Sequence, residues 1–360
     1  MFQNRPTPRK TVTSLLSAFF AAAALLAVTT TLTRSETASQ LPFGPGVTKL
    51  EVQDNRDDRQ LGGDLWYPTR TPNIFQRSDK SKVWKMANAD PEGAPAEGPF
   101  PLLVISHGMY GNTFNQAWLA SDMARRGYIV AMVNHPGTST FKRDADQARE
   151  LWERPVDLSR LISYLIGTSP FKSRIDADRI YAAGHSLGGF TTMLLAGAQF
   201  DTAQYRSVCA DDATPVACSV LKGWSIAETQ RDQQEMETRR KDERVAKFIS
   251  LDLGGTPVLS RDSLAAIDKP VLVLGSGRAD MLDQTIESRA LSSALPKNLH
   301  RHVELKDAGH FDFMGVCKPS GFDILKEHEP GDEMVCIKGG AEREKQHRRI
   351  VREIVNFLEQ

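Results

Sequence analysis

The chain has 360 residues, 40% of them hydrophobic and 25% charged, enough to bury one large core with insertions. Its 45 Lys+Arg balance 45 Asp+Glu, for a formal net charge of +0 at pH 7. No long-range field therefore draws it to nucleic acid or to an anionic membrane, and a small or neutral substrate is expected instead.

The first segment, "MFQNRPTPRK", is basic through Arg5, Arg9 and Lys10, and the apolar run "LLSAFFAAAALLAV" follows it. That run fits the hydrophobic part of a signal peptide and is shorter than the roughly 20 residues of a spanning helix. Residues 1–38 are thus expected to be a leader that ends near Ala38, with an uncleaved anchor as the alternative. Export to the periplasm or the medium is expected, and no stable membrane partner unless the leader stays attached.

Residues 39–360 follow as a single domain. "VTKLEVQDN" and "QLGGDLWYP" are expected to be strands joined by the polar turn "NRDDR", and residues 71–98 a Pro- and Gly-rich surface loop. "PLLVIS" (Pro101–Ser106) is a continuous apolar run suited to a strand covered on both faces. A helix is expected over Asn115–Gly127, a strand over Tyr128–Asn134, a long helix over Asp144–Ile166 and a strand at "RIYAAG". "LGGFTTMLLAG" then has a helical pattern. Strand and helix alternate, which indicates an α/β fold with a parallel sheet.

The alternation stops at about 199–245, where no apolar strand occurs and "AETQRDQQEMETRRKDER" is densely charged. This insertion suits either a solvated helix or part of a cap over a pocket. Strands resume at "VAKFISL", "PVLVLGS" and "LHRHVEL". The terminal "EREKQHRRIVREIVNFLEQ" repeats apolar positions at Ile350, Val351, Ile354, Val355 and Leu358, a helix with one buried face.

Four cysteines allow three pairings, and in an exported chain the sequence-local choice joins Cys209 with Cys218 and Cys317 with Cys336. Neither pair has CxxC spacing or histidines placed as zinc ligands, so no metal is expected.

Chemistry centres on "RIYAAGHSLGGFTTMLLAGA". Gly184-x-Ser186-x-Gly188 between a strand and a helix is the pattern that presents a serine hydroxyl on a sharp turn, where only small neighbours fit. Ser186 is the expected nucleophile. The amide of Leu187, at a helix N-terminus, is one expected oxyanion donor, and the amide of Met109, in the loop "VISHGMYGN", is the second. His107 is read as a residue that fixes this loop. The base is expected downstream of the serine. Among His300, His302, His310 and His328, His310 in "KDAGHFDFMG" stands directly after the last strand and is preferred. For the acid, Asp280 just past "VLVLGS" is preferred, with Asp252 in "FISLDLGG" as the alternative; Asp283 suits the first turn of the next helix.

Taken together, "PLLVISHGMYGN", "NHPGTST", "GHSLGG", "VLVLGSGRAD" and "AGHFDFMGVC" resemble bacterial predicted dienelactone hydrolases of the α/β-hydrolase superfamily and the related platelet-activating-factor acetylhydrolase-like serine esterases. The resemblance runs from about Leu50 to the C-terminus. It implies the α/β-hydrolase fold, an eight-stranded, mostly parallel sheet with helices on both faces. It also implies Ser186 and His310 as catalytic positions, with Met109 and Leu187 as oxyanion donors. Two departures matter: dienelactone hydrolases proper have a cysteine where this chain has Ser186, and the acetylhydrolase pattern puts the acid at the position of Asp252. The expected activity is hydrolysis of carboxylic esters through an acyl-enzyme, with no cofactor. Amide or lipid acyl hydrolysis by the same residues is one alternative and a non-catalytic binding protein another.

Overall fold

Side chains alternate along each central strand between two cores. From Phe100–Ser106, Leu102 and Val104 enter one core, and Leu103 and Ile105 enter the other. Val271–Ser276 does the same with Val271 and Val273 against Leu272 and Leu274. A strand buried on both faces needs helices on both, and the continuous apolar runs read in the sequence reflect that.

The structure, a computed structural model, describes residues 41–70, 81–91, 93–210, 216–337 and 340–360. The expected leader and residues 211–215 of the insertion lie outside the described residues. Among the described residues the main sheet has nine strands, one more than the resemblance implies, and eight of them are longer than two residues: β1 (Gly44–Glu51), β2 (Gly62–Thr69), β3 (Phe100–Ser106), β4 (Ile129–Val133), β5 (Ile175–His185), β6 (Val245–Leu251), β7 (Val271–Ser276) and β8 (His300–Leu305). Their spatial order is β8-β7-β6-β5-β3-β4-β2-β1, with a two-residue strand, Asp90–Pro91, added outside β1. β2 pairs antiparallel with β1 and β4, and every pair from β4 to β8 is parallel.

On one face pack α2 (Glu153–Gly167) and α3 (Leu187–Leu195), and on the other α1 (Ala117–Arg125) and the C-terminal helix Gly340–Leu358. The terminal helix buries Ile350, Val351, Ile354 and Leu358, as its periodicity predicts, while Val355 is only partly buried. The long helix expected over Asp144–Ile166 is two helices, Ala145–Arg149 and α2. Pro155 lacks the N–H that an unbroken helix would donate to Leu151, but it is tolerated in a first turn.

The described residues of the insertion carry three helices: α4 (Thr202–Val208), α5 (Val216–Gly223) and α6 (Gln230–Glu237). Only α6 comes from the densely charged stretch. Leu221, Trp224, Ile226 and Met236 of the insertion are buried in the same core as α2 and α3. Disulfides join Cys209 to Cys218 and Cys317 to Cys336, the sequence-local pairing. The second bridge spans 19 residues and encloses α8, numbered after α7 (Ser288–Ala294) and covering Gly321–His328.

Closing a loop of that length restricts the unfolded chain by about 3 kcal/mol. Cys317→Ser is therefore expected to lower thermal stability by about that amount in a melt under non-reducing conditions, and added reductant should have less effect on the variant than on the parent.

Candidate active site

Ser186 is the one residue between β5 and α3 and has φ 56 and ψ −120. A non-glycine residue there is strained by about 1–3 kcal/mol and persists only where the surroundings fix it. Its N–H donates to Leu251 O of β6 at 3.0 Å, and its carbonyl accepts from Gly189 N–H (2.8 Å) and Phe190 N–H (3.2 Å). The flanking glycines are required by space: a Cβ on Gly184 would lie 2.0 Å from Gly188 O, and one on Gly188 2.0 Å from Ser106 O.

His310 follows β8 on the loop capped by Gly309. Its Nδ1–H donates to Asp252 Oδ2 at 2.6 Å, because a carboxylate can only accept. That assignment leaves Nε2 as an acceptor, 3.1 Å from Ser186 Oγ. Asp252 is completely buried and also accepts from Ser276 N–H at 2.6 Å. Burial opposes its ionisation, but the hydrogen bond and charge of His310 and the Ser276 amide hold its carboxyl below the ordinary carboxylate range.

The preference for Asp280 is thereby corrected. Its side chain is 40% exposed, and Oδ1 accepts from the backbone N–H of His310 at 3.0 Å, so Asp280 holds the histidine's main chain while Asp252 holds its ring. A Cβ on Gly309 would lie 1.9 Å from Asp280 Oδ2, which explains the glycine before His310. His185 is beside the serine in sequence, yet its Nε2–H donates to the backbone carbonyl of His310 at 3.0 Å. Burial, aided by His310, pushes its pKa down to about 3, so it stays neutral.

The loop after β3 turns at Gly108–Gly111, with Gly111 N–H donating to Gly108 O at 3.1 Å. His107 Nδ1–H donates to Gly108 O (2.7 Å) and its Nε2 accepts from His135 N–H (3.0 Å), so this ring fixes the loop. Met109 of the turn and Leu187, whose N–H opens α3 without an intrahelical acceptor, both line the cavity that Ser186 and His310 face.

That cavity is about 470 Å³ and mainly apolar. Val216, Val220 and Leu221 of α5 form one wall, and Leu325, Met334 and Val335 of the segment between Cys317 and Cys336 form another. Trp84, Phe114 and Phe141 add aromatic faces, and Met281, Leu282 and Phe311, next in sequence to Asp280 and His310, complete the apolar lining. The walls are tied together by residues that carried no motif. Tyr110 Oη accepts from Trp224 Nε1–H at 2.9 Å, Arg143 lies 4.7 Å over the Tyr110 ring, and Arg143 also reaches Glu329 at 3.4 Å. Met109, Phe141, Val216 and Met334, all lining the cavity, are exposed large hydrophobic residues.

A parallel sheet in this strand order, with the serine on the β5–α3 turn, the acid after β6 and the histidine after β8, decides the fold. It is that of an α/β-hydrolase. A solved structure described as a ferulic acid esterase from Streptomyces cinnamoneus superposes with a TM-score of 0.55 at 21% identity, over 87% of this chain and 89% of that one. A model of the prolyl oligopeptidase family matches residues 112–243, the part of the chain that holds Ser186. A bis(hydroxyethyl) terephthalate hydrolase from Streptomyces coelicolor is 25% identical over 205 residues, 52% of this chain and 56% of that protein. Cutinase cut1 from Thermobifida fusca is 28% identical over 216 residues, 54% of this chain and 57% of that protein. The chain thus spans little more than half the length of these relatives.

One more buried acid borders the site. Glu287 Oε2 accepts from Gly255 N–H (2.9 Å) and Thr256 N–H (2.8 Å) in the loop after Asp252, and burial pushes its pKa up to about 8. Between its unfolded value of 4.5 and about 8 the folded state holds a proton that the unfolded state releases, so stability falls as pH rises through that window. Glu287→Gln keeps an acceptor and removes the titration. Its stability, measured by melts at each pH, should gain on the parent's by roughly 3.5 kcal/mol between pH 5 and pH 8; equal shifts at both pH values would contradict this account.

Proposed function

We propose that the protein hydrolyses carboxylic esters through an acyl-enzyme on Ser186. The observation that carries this reading is the continuous relay from Ser186 Oγ through His310 to Asp252, opening on a large apolar cavity. In the first half-reaction His310 Nε2 takes the Ser186 proton as Oγ attacks the acyl carbon. The oxygen of the tetrahedral adduct takes the negative charge, within reach of the Met109 and Leu187 amides, each worth about 3 kcal/mol of barrier. As the adduct collapses, His310 passes the proton to the departing alkoxide and the alcohol leaves. In the second half-reaction His310 deprotonates water, the hydroxide attacks the acyl carbon, and Ser186 recovers its proton as the acid is released. Asp252 stays ionised throughout and stabilises the imidazolium.

The aromatic and methionine walls suit a bulky hydrophobic ester, which agrees with the terephthalate and ferulic acid in the names of two similar proteins. The exposed apolar side chains at the mouth favour poorly soluble esters, lipids included, over small polar ones. Two disulfides support an oxidising compartment and hence export.

A fluorophosphonate probe is expected to label the wild type and to leave Ser186→Ala unlabelled; no labelling of the folded wild type would overturn the reading. A panel of p-nitrophenyl esters and matching anilides then orders ester against amide chemistry, with the aryl and longer acyl esters expected to give the highest kcat/KM. Asp252→Asn should lower kcat by about 10⁴-fold, as expected of a triad acid. Asp280→Asn should lower it less than about tenfold, through the backbone it holds.

A further inference from the structure

A buried cation lies beneath the oxyanion donors. Arg154 of α2 is 1% exposed, and its guanidinium donates in four directions. Nη2 bonds the His107 carbonyl and Ser106 Oγ (3.0 Å), Nη1 bonds Thr138 Oγ1 (2.6 Å), and Nε bonds Thr191 Oγ1 (2.8 Å). The Thr191 hydroxyl in turn donates to Leu187 O at 2.9 Å. One planar side chain therefore reaches both segments that supply the proposed oxyanion amides. The His107 carbonyl lies one residue before the Gly108–Gly111 turn that carries Met109, and Thr191 is bonded to Leu187 itself.

The surrounding network fixes this arrangement. Ser106 Oγ–H donates to His135 Nε2 (2.9 Å), and His135 Nδ1–H donates to Asp157 (2.9 Å), which also takes two bonds of 2.8 Å from Arg59. Burial keeps both His107 and His135 neutral. Arg154 itself is pulled down to about 9 by burial, so it is still a cation at neutral pH. All four of its acceptors are neutral oxygens. A buried cation whose direct acceptors are all neutral is a poor stabiliser of a fold, because only the charge of nearby Asp157 offsets its desolvation, and incompletely. A role in the reaction gives such a group its place.

We infer that Arg154 is a positioning residue that holds the Met109 and Leu187 amides at one fixed separation, so that both reach the oxyanion together. Its planar fork does this where a single ammonium cannot, since two of its nitrogens must bond different segments at set angles. The inference rests on the ester-hydrolase reading, and the tests separate the two.

The wild type is first shown to take the fluorophosphonate label; if it does not, the ester-hydrolase reading is what fails. In Arg154→Lys, kcat for p-nitrophenyl butyrate should fall about 10- to 100-fold, with KM within about twofold, because the loss appears only where charge develops. Affinity for an aryl trifluoromethyl ketone, which forms an oxyanion on Ser186, should fall by the same factor as kcat/KM. A folded Arg154→Lys with unchanged kcat, or a loss of kcat without loss of ketone affinity, would overturn the inference. Where Arg154→Lys does not fold, Thr191→Val decides: it keeps the shape, removes the bonds to Arg154 Nε and Leu187 O, and leaves the guanidinium its other acceptors. A parallel fall in kcat and ketone affinity supports the inference, and unchanged values overturn it.

Discussion

The rest of the molecule depends on how two neighbouring parallel strands end. The residue after β5 is Ser186 with φ 56, and the residue after β6 is Asp252 with φ 46, both outside the region that side chains other than glycine prefer. Each turn is held by the sheet it leaves: Ser186 N–H bonds Leu251 O of β6, and Asp252 N–H bonds Leu274 O of β7. The ladder runs one residue past each strand's last regular pair and offsets part of the strain. Side chains that would otherwise alternate across the sheet are turned upward onto its carboxyl edge, where the loop of His310 meets them. A hydroxyl and a carboxylate held this way can be bridged by one imidazole.

Burial does the rest of the sorting. His107, His135 and His185 all lie near the serine, but each is driven toward its neutral form by loss of solvent and is bonded to backbone or to a structural acid. His310 and His135 each join a buried carboxylate to a serine hydroxyl, but Ser106 beside His135 is fully buried, whereas His310 and Ser186 line the cavity. The mainly apolar walls lower the polarity of the same space, so the charges that remain interact more strongly there than they would in solvent.

Much of this was legible in the sequence because it is local. The strand–glycine–serine–glycine–helix pattern names Ser186 from adjacent residues, and the glycine-marked loop after the last strand names His310. The acid was not legible in the same way: Asp252 and Asp280 both follow buried strands, and both bond His310, one at the ring and the other at the backbone. The choice rests on the positive φ of Asp252 and on the Ser276 amide, neither of which has a sequence signature. Arg154 did leave a trace. In "RPVDLSRLISYLI" an arginine and an aspartate share the face of Leu158, Leu161 and Leu165, which a solvated helix would not place there. Of the pocket walls, the insertion was foreseen only as one alternative, part of a cap, and the meeting of Tyr110, Trp224 and Arg143 has no trace in the sequence.

Ser186, Asp252 and His310 follow strands of the sheet, whereas two walls of the cavity belong to α5 and to the segment closed by Cys317 and Cys336. These two pieces hang outside the sheet, each fastened by its own covalent cross-link. Sequence change in them alters the shape of the space while the reacting atoms keep their places. A lineage with this architecture can diverge widely in what it accepts without repeating the invention of its chemistry, and a designer could exchange one stapled wall as a unit.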